Sequence, residues 1–121
     1  MTIQSLRSYD EMQAWQEAMA LATEVYRCTR DYPLAEIASL TAETRRAAAM
    51  IPSSIAEGWA ARSTAKECRA RMQEARFALM QLETFLILGL RLEYLTHATM
   101  DFIWPLTQST GTEIAALLKA V

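Results

Sequence analysis

A seven-residue repeat of apolar and small residues runs through the middle of the chain and continues across a proline. Its members are Ile37, Leu40, Thr44, Ala47, Ile51, Ile55 and Gly58. Such a repeat is typical of the seam between helices that pack at a shallow angle. A proline inside a helix costs about 3 kcal/mol because it removes a hydrogen bond and clashes with the preceding turn. The repeat nevertheless keeps its phase across Pro52, so we predict one helix of about residues 34–61 that is kinked at Pro52, rather than two helices that meet there.

Glycine and proline are scarce, with three of each in 121 residues, whereas residues that favour helix are plentiful. A chain of this length buries enough surface to fold around one core. The longest apolar run, residues 85–90, is far shorter than the roughly 20 residues of a membrane-spanning helix. We therefore predict an all-α protein that does not cross a membrane, with residues 1–121 as a single domain.

The first helix is expected at about residues 9–29. Ser8 and Glu11 have the spacing of a capping box, in which the two side chains satisfy free backbone N–H groups of the first turn. Pro33 closes the element, because the residue before a proline avoids helical geometry, and it suits the first turn of the next helix. The apolar residues that step by three or four along this helix are Met12, Trp15, Met19, Ala22, Val25 and Tyr26.

Two further helices are expected at about residues 64–94 and 97–119. Thr64 and Glu67 form a second potential capping box at the start of helix 3. Helix 4 keeps helical spacing of its apolar residues, but Pro105 and Gly111 lie within it. We expect helix 4 to be bent or frayed at these residues.

Helix 3 carries two apolar stripes. The first consists of Met72, Ala75, Leu79, Leu82, Leu86 and Gly89, and the second of Phe77, Met80, Thr84, Ile87, Leu88 and Leu92. A helix that is apolar on more than one side must be covered on more than one side. Since each helix of a lone bundle still faces water on its outside, the second stripe predicts contact with another subunit. The candidate interface residues in this helix are Phe77, Met80, Ile87 and Leu88.

The tryptophans are interpreted mainly as packing residues, although stacking on nucleic-acid bases is an alternative for large aromatic side chains. Trp15 falls on the apolar stripe of helix 1 and is expected in the core. Trp59 lies just beyond Gly58, and we expect it at a subunit contact, where large aromatic residues carry much of the binding energy.

Eight short motifs follow one another in a characteristic order. They are Trp15-Gln16-Glu17-Ala18, Thr29-x-x-Tyr32-Pro33, Arg45-Arg46-Ala47-Ala48, Ile51-Pro52-Ser53, Ile55-Ala56-Glu57-Gly58, Ser63-x-x-x-Glu67, Glu74-Ala75-Arg76 and Leu82-Glu83-Thr84. In this order they resemble the bacterial four-helix bundle family that includes the proteins encoded in intervening sequences of 23S ribosomal RNA genes. The resemblance covers about residues 6–95. The chain departs from the family pattern at Phe77-Ala78, where Gly-Ser is usual, and this added bulk is expected to affect a close helix approach.

The resemblance implies an antiparallel up-down four-helix bundle that assembles as a ring-like homo-oligomer, a homopentamer, with no established enzymatic activity. A related branch, the accessory proteins of diversity-generating retroelements, has a similar fold and binds nucleic acid and a reverse transcriptase through a basic surface. Both implications are expectations for this chain.

Basic residues are concentrated in one part of an acidic chain. Residues 45–76 hold seven of the twelve basic residues but only three of the fourteen acidic ones. Such a patch can attract phosphate, which supplies most sequence-independent affinity for nucleic acid. The candidate nucleic-acid or partner-binding residues are Arg45, Arg46, Arg62, Lys66, Arg69 and Arg71. The alternative is a solvated face neutralised by neighbours four residues away, such as Glu67 and Arg71.

Arg45 and Arg46 lie beside the helix 2 seam, where arginine can bridge carboxylates. We favour a structural ion pair, within or between subunits, with Glu57, Glu74 or Glu83 as candidate partners, over a contact with phosphate or another ligand.

Catalytic signals are weak. His97 is the single histidine, which excludes the paired Glu-x-x-His ligands of a di-iron bundle. Cys28 and Cys68 have no metal-ligand spacing and are expected to be reduced thiols in a cytoplasmic protein. We therefore predict a protein without catalytic residues, cofactor or metal, acting as a homo-oligomeric scaffold or adaptor whose partner is unknown. The alternative is an RNA- or DNA-binding accessory factor that uses the basic patch.

Overall fold

A computed structural model describes residues 3–121 of the chain, and within this range it contains four α-helices and no strand. They are α1 (Gln13–Cys28), α2 (Leu40–Ala60), α3 (Ala65–Arg91) and α4 (His97–Ala120). Single turns of 3₁₀-helix lie at Ile3–Ser5, Tyr9–Glu11, Thr29–Asp31 and Leu34–Glu36. The predicted all-α fold is therefore confirmed.

Each helix packs against two others: α1 and α3 both contact α2 and α4. The largest fully buried side chains come from all four helices, among them Leu21, Ile51, Leu82 and Ile114. The core consequently runs between the helices along their length.

The apolar patterns of helices 2 and 3 are confirmed. All members of the seven-residue repeat are buried except Ile37, which precedes α2 and is exposed. All six residues of the first α3 stripe are buried. Gly58 lies inside α2, where a Cβ atom would come within 2.7 Å of the Met72 side chain. It is a packing residue, as predicted, rather than a helix cap.

The start of helix 1 differs from the prediction. Tyr9–Glu11 form a 3₁₀ turn, and α1 begins only at Gln13. The capping box is wrong, because Ser8 makes no capping hydrogen bond, and the Glu11 carboxylate instead accepts from the backbone N–H of Arg7 at 3.1 Å. The turn ends at Met12, whose extended backbone starts the helix without a side-chain cap.

The face that α1 buries agrees with the predicted stripe only in part, since Met12, Ala22 and Val25 of the stripe are buried. The buried face consists of Ala14, Ala18, Leu21, Ala22 and Val25. Met19 and Tyr26 are exposed, and Trp15, expected in the core, is half-buried. Small alanines let α1 approach its neighbours closely, so the larger side chains are displaced to the edge of the contact.

Helix 2 begins at Leu40 rather than near residue 34, because Leu34–Glu36 form only a 3₁₀ turn. It then continues through Pro52 to Ala60 without interruption, as the unbroken repeat predicted. Since Pro52 is buried, this proline is part of the packed surface of the helix.

Helix 4 is one continuous α-helix across Pro105 and Gly111, so the expected fraying is wrong. Its start is capped by the Thr96 side chain, which accepts from the backbone N–H of Thr99 at 3.1 Å. Thr64 is the N-cap residue of α3, as predicted, but its side chain makes no capping hydrogen bond, so the second capping box is also not formed.

Candidate functional site

An apolar face stands on the outside of α3. We call this surface the α3 face and define it by Phe77, Met80, Thr84, Ile87 and Leu88. Its four large apolar side chains are 40–59 % exposed, and the Thr84 hydroxyl is satisfied by the backbone oxygen of Met80 at 2.8 Å. The Thr84 hydroxyl therefore needs no partner from outside the chain.

The α3 face is exposed because the opposite side of the same helix fills the core. Ala78, next to Phe77, is buried with only 2 % exposure. The Phe77-Ala78 pair thus places its small residue at the helix contact and its bulky residue outside. The expected effect of Phe77 on a close helix approach does not arise within the chain.

Trp59, the predicted interaction residue, is held within its own chain. Its ring lies 6.1 Å from the ring of Tyr9 and 3.8 Å from the guanidinium carbon of Arg62. It is half-buried, and its indole Nε1 is a buried atom without a hydrogen-bond partner among the described residues. Its role at a subunit contact stays a prediction.

A second apolar surface lies between α1 and α2, and we call it the α1–α2 groove. Its volume is about 630 Å³. It is lined by Tyr9, Trp15, Met19, Ala22, Thr23, Tyr26, Ala49, Pro52, Ser53 and Ala56. Within residues 3–121, no ionised side chain lines it. Trp15, Met19 and Tyr26, which belong to the apolar stripe predicted for helix 1, contribute much of this lining. The sequence thus showed these apolar residues, but their spacing was interpreted as a core face.

Arg45 joins α1 to α2. Its Nε donates to the Thr29 hydroxyl at 2.8 Å, its guanidinium donates to the Tyr26 backbone oxygen at 3.4 Å, and its Cζ lies 5.0 Å from the centre of the Tyr26 ring. Arg45 is thus engaged within the chain, but none of these partners is a carboxylate, so the predicted ion pair with Glu57, Glu74 or Glu83 is not formed among the described residues.

Three other candidate arginines are also engaged within the chain. Arg46 pairs with Glu43 at 2.8 Å, and Arg71 pairs with Glu67 at 3.1 Å and with Glu74 at 3.0 Å. The predicted contact between Glu67 and Arg71 is thus confirmed. Arg62, besides stacking on Trp59, donates to the Trp59 backbone oxygen at 3.0 Å. These side chains have partners that compete with an external phosphate.

Three further basic residues line the α3–α4 groove, a groove of about 610 Å³. They are Arg69 and Arg76 of α3 and Lys119 of α4, and Lys66 precedes Arg69 on α3. In the described part of the chain, Lys66, Arg76 and Lys119 have no ion-pair or hydrogen-bond partner, whereas Arg69 donates to the backbone oxygen of Val121. The basic patch of residues 45–76 therefore consists of residues engaged within the chain and residues open to solvent. Neither Arg76 nor Lys119, which lies outside the patch, was among the predicted binding residues.

The sequence profile of the family described as 23S rRNA-intervening sequence protein matches residues 10–116. The chain belongs to this family. The search of curated proteins found no match. The resemblance read from the eight motifs is thereby confirmed, and it extends beyond residue 95 into α4.

In this member of the 23S rRNA-intervening sequence protein family, both cysteines are free thiols. Burial raises the pKa of Cys28 to about 11, and the neighbouring Glu24 carboxylate adds to this effect. Burial also raises the pKa of Cys68. Both thiols are consequently held in their protonated, unreactive form near neutral pH.

Within residues 3–121, no group of three or more histidine, cysteine or carboxylate side chains is arranged to hold a metal ion. Nor is any helix of the described chain long and apolar enough to span a bilayer.

Proposed function

We propose that this protein is a non-enzymatic, homo-oligomeric scaffold or adaptor, and that copies of the chain associate through the α3 face. The observation that carries the proposal is the 40–59 % exposure of four large apolar side chains on one side of a single helix. Contiguous apolar surface of this kind is typical of protein interaction sites. Two of the four, Phe77 and Met80, belong to residue types that are enriched at interfaces.

An antiparallel up-down arrangement of the four helices, with α2 kinked at Pro52, completes the proposed architecture. Contacts between helix ends support it. Arg45 near the start of α2 reaches Thr29 just after α1, and Arg69 near the start of α3 reaches Val121 after α4. The ring-like form, the number of five copies and a cytoplasmic location rest on the family resemblance and on the free thiols.

Light scattering coupled to gel filtration tests the proposal. The wild-type mass should be near five times the 13.6 kDa of one chain. Ile87→Asp should lower this mass, because an interface that closes over a carboxylate must desolvate it. Ala20→Asp is the matched control, since Ala20 is an exposed residue of α1 outside both apolar surfaces and should keep the wild-type mass. A monomeric wild type would refute the proposal.

Nucleic-acid binding is a second candidate function, favoured by the open basic residues. Lys66, Arg76 and Lys119 have no charged partner in the described chain, and repetition of this group around an oligomer would concentrate positive potential. We propose that structured RNA or DNA is bound here rather than at Arg45, Arg46, Arg62 or Arg71, whose side chains are engaged.

A salt titration of binding to structured RNA tests this second function. The affinity of wild type should fall steeply as salt rises, because bound phosphates release counterions. The double variant Lys66→Glu and Arg76→Glu should abolish binding, whereas the double variant Arg46→Glu and Arg71→Glu, an equal change of charge at residues already paired with carboxylates, should retain most of it. Equal loss in both variants, or no binding by wild type at low salt, would exclude the proposed location.

A further inference from the structure

We infer that the α1–α2 groove of one copy receives the α3 face of the next copy, so that the contact between subunits joins two different surfaces. This inference rests on the proposed self-association and specifies its geometry. The occupant of the groove is thus a second copy of this chain.

The two surfaces lie on different sides of one chain and cannot cover each other. The α3 face points away from the core, on the side of α3 opposite to buried residues such as Leu79 and Leu86. The groove is bounded by α1 and α2, and α1 packs against α2 and α4. Each surface therefore needs a partner from outside the chain.

The two surfaces are both apolar and have the same length along their helices. The groove contains small residues, such as Ala49 and Ala56, beside large ones, such as Trp15 and Tyr26. The α3 face projects four large side chains, which suit recesses above small residues. Trp15 and Tyr26 are eleven residues apart on α1, as are Phe77 and Leu88 on α3, so each surface extends about 16 Å along its helix.

Symmetry favours a contact between unlike surfaces over a contact between like ones. If two α3 faces met about a twofold axis, the assembly would close at two chains and both grooves would stay open to water. A contact of the α3 face with the groove covers both apolar surfaces at once, and it repeats from copy to copy until a ring closes.

The chemistry of the groove argues against a nucleic acid as its occupant. Phosphate binding requires basic side chains, and none lines the groove within the described residues. The guanidinium of Arg45, which lies over the ring of the groove residue Tyr26, is already committed to Thr29. An apolar occupant such as the α3 face fits this lining.

Mixing two complementary variants tests the inference. Ala49→Arg blocks the groove with a charged chain at an exposed helical position, and Ile87→Asp disables the α3 face. Ala20→Arg is the control for the first change, because it introduces the same residue at an exposed position of α1 outside the groove. Circular dichroism confirms that each variant is folded, and Ser53→Arg, at another exposed residue of the groove, provides a second block.

The expected result is that each variant alone is a monomer and that the mixture forms a dimer of one copy of each. In this dimer the intact groove of the Ile87→Asp chain holds the intact α3 face of the Ala49→Arg chain, and growth stops there. Native mass spectrometry with one variant labelled with ¹⁵N identifies the pair as twice 13.6 kDa. Ala20→Arg should keep the wild-type mass.

Other results separate the inference from the proposal on which it rests. If both groove variants keep the wild-type mass, or if two monomeric variants fail to pair when mixed, the groove is not the receiving surface. If Ala49→Arg alone forms homodimers while Ile87→Asp is monomeric, the α3 faces meet each other instead. A monomeric wild type would overturn both the inference and the proposed self-association.

Discussion

Replacing Gly89 with alanine should destabilise the protein, because Tyr32 occupies the space that a methyl group would need. A Cβ atom built on Gly89 overlaps the Tyr32 hydroxyl oxygen and lies 3.2 Å from the ring carbon that bears it. Tyr32 is buried, and its ring lies 5.6 Å from that of Tyr94. The Tyr32 ring is therefore packed against Tyr94 in the core and cannot move aside freely.

The size of the effect follows from two opposing terms. Overpacking a core costs about 1–3 kcal/mol, and direct overlap with a confined ring places this site near the upper value. Alanine gains about 1 kcal/mol over glycine in a helix interior. The net loss should be about 2 kcal/mol in the free energy of unfolding, or about 8 °C in melting temperature for a chain of this size.

Urea unfolding followed by circular dichroism at 222 nm measures this change at a fixed protein concentration. Tyr32→Phe should rescue Gly89→Ala, because it removes the overlapping oxygen, and that hydroxyl has no hydrogen-bond partner in the described chain to lose. Gly111→Ala is the matched control: its Cβ would lie 3.3 Å from a terminal methyl of Leu79, which can yield, so stability should rise by up to about 1 kcal/mol. Equal stabilisation by both alanines, or failure of the rescue, would refute this reasoning.

Three further changes test other contacts. Arg45→Met should lower the free energy of unfolding in urea by about 1 kcal/mol, because it removes the hydrogen bond that the Thr29 hydroxyl accepts, while that hydroxyl keeps its own bond to the Val25 backbone oxygen; an unchanged midpoint would contradict the contact. Hydrogen bonds from Ser39 and Tyr94 hold the pKa of Glu36 below its ordinary value, so its contribution to stability is present above the ordinary pKa and is lost as pH falls through the lowered folded value. Tyr94→Phe should therefore raise the pKa of Glu36 in an NMR titration and should shrink that acid-dependent loss, while an unmoved titration would exclude the bond. Cys68 is buried and burial raises its pKa, so with the other cysteine replaced by alanine this thiol should react with a disulfide reagent at pH 8 more slowly in the folded than in the unfolded protein; equal rates would show that the site is open.

Helices 2 and 3 were predictable because their core positions combine regular spacing with large side chains. In each of these helices one face consistently carries apolar or small residues: the face with Ile51 and Ile55 in α2, and the face with Leu82 and Leu86 in α3. That face is the one expected to turn toward the core. The repeat also predicted that α2 continues across Pro52, since an interruption of the helix would have shifted the phase of the repeat. In these two helices the spacing of apolar residues in the sequence agrees with the residues that are buried in the structure.

Helix 1 was oriented wrongly because its core face is built from small residues. Ala14 and Ala18 give a weak apolar signal, whereas Trp15, Met19 and Tyr26 give a strong one at the same helical spacing. Which face turns inward depends on how closely the neighbouring helices approach, and that distance is a tertiary property. The misassigned residues proved to line a groove instead.

For the basic residues, too, the sequence predicted only part of the arrangement. Their concentration in residues 45–76 was visible in the sequence, but their partners were not. The partner of Arg45 is a hydroxyl at the end of another helix, and its proximity depends on helix rotation and register. Short-range partners such as Glu67 and Arg71 were predictable, because a helix fixes residues four apart on one face.

The central claim is that exposed apolar surface on α3 brings copies of this chain together. Sedimentation velocity of the wild-type protein over a concentration range of about 1–100 µM tests it most directly, since association responds to mass action. We expect a dominant species near five times 13.6 kDa, which dissociates only at the low end of the range. A single species of 13.6 kDa at every concentration would contradict it.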